Sequence, residues 1–197
     1  MNIYTNHNSY VLGFHGCDKS VADKVLNSNT EDLLESTHDY DWIGSGIYFW
    51  LNGPIRGLQW AQEKQKREPN KIKEPAVIGA IIDLGVCLNT TEQECLDAIK
   101  QGYELLQKEV DISLLHNKKP DDGGYNLLRP LDCAVINYTC SYLQKEKLKV
   151  DTVLGVFQES KSLFTGSDIL SKTHTQICVR NKKCILGYFL PRIQTVL

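Results

Sequence analysis

Residues 42–50 read WIGSGIYFW, three large aromatics and a tyrosine set around two glycines one residue apart. Glycine weakens a strand interior, so a Gly-Ser-Gly hinge rarely shares so short a stretch with strand-forming rings. The stretch is therefore a loop running straight into a short strand, with Tyr48 between the hinge and two more rings. Upstream, YVLGFHGC (10–17) alternates bulky apolar residues into His-Gly, the pattern of a strand entering a turn. DKSVADKVLNSN (18–29) follows with Val21, Ala22, Val25 and Leu26 at helical spacing, opened by Asp18 or Ser20 as a cap. Downstream, IRGLQWAQEKQKR (55–67) is a surface helix that ends at the Pro69-Asn70 turn.

The rest of the chain falls into elements of both kinds. EPAVIGAIIDLGVCLN (74–89) is a long β-branched run, expected to be a central strand buried on both faces. TEQECLDAIKQGYELLQKEV (91–110) is a helix with Thr91 and Glu94 spaced as a capping box. NKKPDDGGYN (117–126) is a loop. LDCAVINYTCSYLQK (131–145) favours a helix, with a strand reading left open. TVLGVFQES (152–160), THTQICVRN (173–181) and CILGYFLPR (184–192) are three terminal strands, the last two joined by a turn at Asn181–Lys183. This order lacks the regular alternation of a doubly wound sheet, and no G-x-G-x-x-G follows a strand. The expectation is a single α+β domain over residues 1–197, with antiparallel sheets and flanking helices.

Composition narrows the function classes. Of 197 residues, 42% are hydrophobic and 23% charged, ordinary for a globular protein, and the formal net charge is −2. That balance gives no general pull toward nucleic acid or an anionic membrane. The strongly apolar run around Asp83 is too short to span a bilayer, and MNIYTNHNSY (1–10) lacks a basic-then-apolar leader. Seven cysteines, an odd number without a C-x-x-C pair, point to buried reduced thiols in a cytoplasmic protein and to no metal site.

FHG (14–16), GSGIYF (44–49) and the late strand QICVRNKKCILGYF (176–189) together resemble the ADP-ribosyltransferase superfamily. The nearer branch is the diphtheria-toxin-like one that includes the poly(ADP-ribose) polymerases. The resemblance covers residues 11–61 and 152–192. His-Gly alone carries no information; followed by Gly-x-Gly-Ile-Tyr-Phe at this separation it is specific. The resemblance implies split antiparallel β-sheets around a cleft and NAD as co-substrate. It also implies transfer of ADP-ribose to a macromolecular acceptor, protein, RNA or DNA.

The residue roles follow from the same resemblance. His15 would bond the adenosine ribose, the backbone of Gly16 would grip the nicotinamide carboxamide, and Tyr48 would stack on the nicotinamide ring. A flat π-face suits a pyridinium. Trp60 stands where a second stacking group often falls, or it is the apolar anchor of its own helix. Gln176 occupies the place of the polymerases' glutamate. Its amide oxygen keeps a hydrogen bond to the ribose 2′-hydroxyl, but it has no charge and is no general base. Chain growth is therefore not expected, and mono-ADP-ribosylation is. Glu159 is either the missing acceptor-side carboxylate or a solvated strand-end residue, and His174 shares the sheet face of Gln176. His7, His38 and His116 have no partner pattern and belong to the surface or loops. Small free-standing enzymes of this branch are often toxins of toxin–antitoxin or phage-defence systems, which implies an antitoxin or regulator protein as partner. The competing expectations are an NAD glycohydrolase and a catalytically silent module that binds NAD or ADP-ribose.

Overall fold

The computed structural model describes residues 6–118 and 128–193. Its elements are β1 (Asn6–Asp18), α1 (Lys19–Leu26), β2 (Ile47–Leu51), α2 (Pro54–Arg67), β3 (Pro75–Asn89), α3 (Gln93–Glu109), α4 (Pro130–Lys145), β4 (Thr152–Phe157), β5 (His174–Val179) and β6 (Ile185–Phe189). Each expected strand and helix is present, and 131–145 resolves as helix. The loop expected at 117–126 falls mostly outside the described residues. No described helix is long and apolar enough to cross a membrane.

The chain is α+β, but the sheet differs from the expectation. All six strands join one sheet in the order β1-β2-β5-β4-β3-β6, with β1 also pairing β3. The β1, β2, β5, β4 and β3 pairings therefore close on themselves, and β6 adds to the other edge of β3. Five pairings are antiparallel, yet β3 and β4 run parallel, with Leu88 opposite Val153. Parallel neighbours need a long crossover, and α3 and α4 supply it.

Two cores flank the sheet. Ile47, Phe49, Ile78, Ile82 and Ile177 are fully buried in the first, where α1 adds Ala22 and Val25. Each such side chain contributes about 1.5–3 kcal/mol of burial. The second lies under α3 and α4 and gathers Ile43, Leu88, Ile136, Val153, Phe157 and Cys178, with Tyr48 and Trp42 packed against it. β3 feeds both cores, which accounts for its β-branched run, although Ile81 is exposed.

Two local expectations resolve at the helix starts. Asp18, rather than Ser20, caps α1, accepting from Ser20 N at 3.0 Å. The expected capping box at Thr91 does not form: α3 starts at Gln93, and Asn89 Oδ1 accepts from Thr91 N at 3.1 Å and Thr91 Oγ1 at 2.8 Å. The Asn89 side chain reaches two residues on and closes an Asx-type turn that takes up both Thr91 donors before α3 begins. All seven cysteines are unpaired and buried.

Candidate functional site

The hinge in WIGSGIYFW is held by the tyrosine that follows it. Tyr48 donates its hydroxyl to Gly44 O at 2.6 Å and accepts from Ile43 N at 3.2 Å. Gly44 has φ +84, a left-handed conformation that a side chain would strain. Ser45 is gripped from α4 and from the residue just past β5: Asn137 Oδ1 accepts from Ser45 N at 3.0 Å, and Arg180 Nη1 donates to Ser45 O at 3.0 Å. Burial pushes the Tyr48 phenol far above its ordinary range, so it stays neutral. Its ring is half-buried against the second core, and its hydroxyl is committed to the loop.

His15 marks the point where β1 and β2 part. Their ladder runs through Gly13–Leu51 and Phe14–Trp50. One residue on, His15 Nδ1–H donates to Tyr48 O at 2.7 Å, so an imidazole takes the place of the next ladder bond. The ring lies edge-on to Phe49, 5.9 Å between centroids. Burial lowers the His15 pKa, which keeps the ring neutral with Nε2 as its acceptor nitrogen. Gly16 sits beneath α2, where an added Cβ would lie 2.1 Å from Gly57 O. The close approach of this helix explains the glycine by packing alone. Trp60, on the same helix, is half-buried against Trp50 (5.7 Å) with Lys64 Nζ 5.0 Å from its ring centre.

A second group forms across β2 and β5. Gln176 stands directly opposite Trp50, and Tyr48 opposite Cys178, so Tyr48 and Gln176 are diagonal neighbours on one sheet face. Gln176 Nε2 donates to His174 Nε2 at 2.8 Å, while His174 Nδ1–H donates to Lys172 O at 2.7 Å. These bonds fix one neutral tautomer and turn the Gln176 amide oxygen away from His174. The His174 ring stacks on Phe157 (5.5 Å, 8°) and approaches Trp50 at 6.3 Å. Glu159 is not a solvated strand end: it is only 20% exposed and pairs with Arg56 Nη2 at 3.2 Å.

The structure thus brings Gln176, His174 and Glu159 to one side, with Trp60 joined through Trp50. It links His15 to Tyr48 through a backbone carbonyl. Sequence reasoning missed Trp50 and Arg56. Trp50 carried a signal, since it shares with Tyr48 the alternation that sets both on one face of β2. Arg56 carried none, because nothing local pairs it with a glutamate a hundred residues away. His38 and His116 are exposed, as expected. No group of three or more potential metal ligands occurs among the described residues.

A cavity of about 380 Å³ opens between α3, α4 and β4, lined mainly by apolar side chains such as Ile43, Ile99, Val135 and Ile136. None of the site residues expected from sequence lines it. It touches the second group only through Phe157, whose ring is stacked between Trp42 (4.6 Å) and His174.

Among known proteins, the chain is similar to the uncharacterized protein MJ0359 of Methanocaldococcus jannaschii, 30% identical over 93 residues. The match takes in 47% of this chain and 39% of that protein, well short of the relative's full length. No family model matches the sequence, and no solved structure matches the chain.

Proposed function

We propose that the protein is a mono-ADP-ribosyltransferase that cleaves NAD, releases nicotinamide and passes ADP-ribose to a macromolecular acceptor. The observation that carries this reading is strand adjacency. β1, β2 and β5 are consecutive neighbours, so the His-Gly, Gly-Ile-Tyr-Phe and Gln176 motifs meet in space although the chain separates them widely. On this reading the mixed sheet is a version of the ADP-ribosyltransferase fold, opened where His15 interrupts the β1–β2 ladder.

The chemistry asks for few groups. The bond from the ribose anomeric carbon to the nicotinamide nitrogen breaks, and its electron pair leaves with nicotinamide. The resulting oxocarbenium-like ribose is held by hydrogen bonds to its hydroxyls, a task within the capacity of the Gln176 amide oxygen. The acceptor's nucleophile bonds to that carbon and gives its proton to a carboxylate, for which Glu159 is the nearby group. Glu159 must first leave Arg56. The role proposed for the enzyme is that of a cytoplasmic toxin of the toxin–antitoxin or phage-defence kind, restrained by a partner protein.

The rival reading is a silent binder of NAD or ADP-ribose. It is favoured by the commitment of Glu159 to Arg56 and of Gln176 to His174. Chromatographic measurement of nicotinamide from purified protein and NAD, with and without cell lysate, separates the readings. Lysate-dependent release that is lost in Gln176→Ala supports transfer. Release without lysate identifies a glycohydrolase. Binding of NAD with no release under either condition sinks the enzymatic reading.

A further inference from the structure

Four buried side-chain polar atoms lack a hydrogen-bond partner among the described residues, and three of them share one corner: Trp50 Nε1, Arg56 Nε and Arg56 Nη1. Trp50 is only 5% exposed, and the Arg56 side chain 13%. Arg56 Cζ lies 5.7 Å from the Trp50 ring centre, so the three donors belong to one small volume. Arg56 Nη1 comes within 3.8 Å of Glu63, too far for a hydrogen bond, and only Nη2 is engaged, by Glu159 at 3.2 Å. Buried donors are almost always satisfied in folded proteins, so three orphans on two neighbouring side chains mark a place suited to a further partner. All three are donors, which excludes a cation as that partner.

We infer that Trp50 and Arg56 form an oxyanion subsite that takes a phosphate group of a diphosphate ligand, with Glu159 as the internal anion that the ligand displaces. A phosphate presents several acceptor oxygens to several donors at once, and a guanidinium is the side chain best matched to it. Two more cations stand at the rim: Lys172, paired to Glu63 at 2.8 Å, and Lys64, over the Trp60 ring. Two ion pairs, Arg56–Glu159 and Lys172–Glu63, fasten the segment between β4 and β5 to α2. Displacing Glu159 therefore loosens that segment and releases the carboxylate beside His174 and Gln176. The subsite does not depend on the NAD reading.

The test is a proton–nitrogen correlation spectrum of the full chain, whose three tryptophans give three indole resonances, Trp50 being assigned by its loss in Trp50→Phe. Inorganic pyrophosphate and ADP-ribose are titrated separately, with nicotinamide as the phosphate-free control. A saturable shift of the Trp50 indole N–H with pyrophosphate and with ADP-ribose, and none with nicotinamide, is expected. Affinity should fall about tenfold or more in Arg56→Lys, read from the Trp50 indole, and in Trp50→Phe, read by calorimetry because that resonance is gone; both variants keep a large side chain while losing donors. Glu159→Gln should bind pyrophosphate more tightly than wild type, because the competing anion is gone. A Trp50 resonance unmoved by either phosphate ligand overturns the inference, even if NAD is cleaved. A shift with pyrophosphate in a protein that leaves NAD intact upholds the subsite while the enzymatic reading fails. Weaker binding by Glu159→Gln overturns the displacement step.

Discussion

Gln176 Nε2 donates to His174 Nε2 at 2.8 Å, a bond that exists only while the imidazole is neutral. An imidazolium carries a proton on that nitrogen and faces the amide donor instead of accepting from it. Burial is the main cause that lowers the His174 pKa; Arg56 and Lys172 push the same way, while the Lys172 carbonyl and Glu159 oppose. The sign follows from proton counting. A folded-state pKa below the unfolded value of about 6.5 means the unfolded chain binds more protons in between. Stability is complete above that value and is lost as pH falls through the lower, folded one. His15, also lowered mainly by burial, adds with the same sign. Thermal melts should show a falling Tm as pH drops below about 6.5, with a shallower fall in His174→Gln. Identical profiles for the two proteins would count against the tautomer assigned here.

Tyr48→Phe separates packing from the hydroxyl. From sequence, the variant should bind NAD nearly as wild type, since the ring that would stack is kept. In the fold, the hydroxyl satisfies Gly44 O and Ile43 N, and its loss leaves both without that partner. Leaving buried polar groups unmade costs about 1–3 kcal/mol. Urea denaturation should show Tyr48→Phe destabilised by about that amount. An unchanged midpoint would mean that the hinge is held by Asn137 and Arg180 alone.

Gly16→Ala tests why the His-Gly pair contains a glycine. Its Cβ would fall 2.1 Å from Gly57 O, a backbone atom of α2 that cannot rotate aside. The helix must move, and overpacking of this kind costs about 1–3 kcal/mol. Gly187→Ala, with nothing within 4 Å, is the matched control and should be near neutral. Comparable melting points for the two variants would show that α2 does not press on Gly16.

The legible part of the fold was local. Periodicity placed β1, α2 and β3, because each buries one continuous face or run. The parallel β3–β4 pairing left no local mark: it depends on where α3 and α4 return the chain, a matter of long-range packing. The site divides the same way. His15, Tyr48 and Gln176 sit in short motifs that sequence displays, whereas the surroundings of Arg56, Glu159 from a distant segment and the Trp50 ring, come together only in the fold. The glutamate and glutamine were visible as residue types, but not the ion pair that now withholds Glu159.

The seven thiols should be unreactive while the chain is folded. Burial pushes Cys17, Cys87, Cys133 and Cys184 each up to about 11, and Cys178 higher still. The thiolate is the reactive species, so almost none is present near neutrality. Iodoacetamide at pH about 7.5 should leave the native protein unmodified by mass over minutes and add seven groups after unfolding in denaturant. Rapid native modification of any one cysteine would place that thiol in an open, electropositive setting.

Gln176→Glu restores the carboxylate that the resemblance expects at this position, and the structure specifies what it would meet. The new side chain cannot donate to His174 Nε2; it can only accept, which favours the imidazolium. The His174 pKa should therefore rise from its lowered position, as an opposite charge in contact favours the charged form. Proton NMR of the imidazole ring measures this directly and needs no assumption about the reaction. The catalytic consequence depends on the enzymatic reading. A carboxylate beside the ribose hydroxyls would hold the oxocarbenium-like transition state better than an amide, so nicotinamide release should be kept or increased. Gln176→Ala, lacking any acceptor, should lose about 10²–10³ in rate, the usual cost of one transition-state hydrogen bond. A raised His174 pKa with no nicotinamide release from wild type, Gln176→Glu or Gln176→Ala would keep the geometry and discard the transferase. An unmoved His174 would mean that the two side chains do not meet in solution, and the pairing at the centre of this site would be wrong.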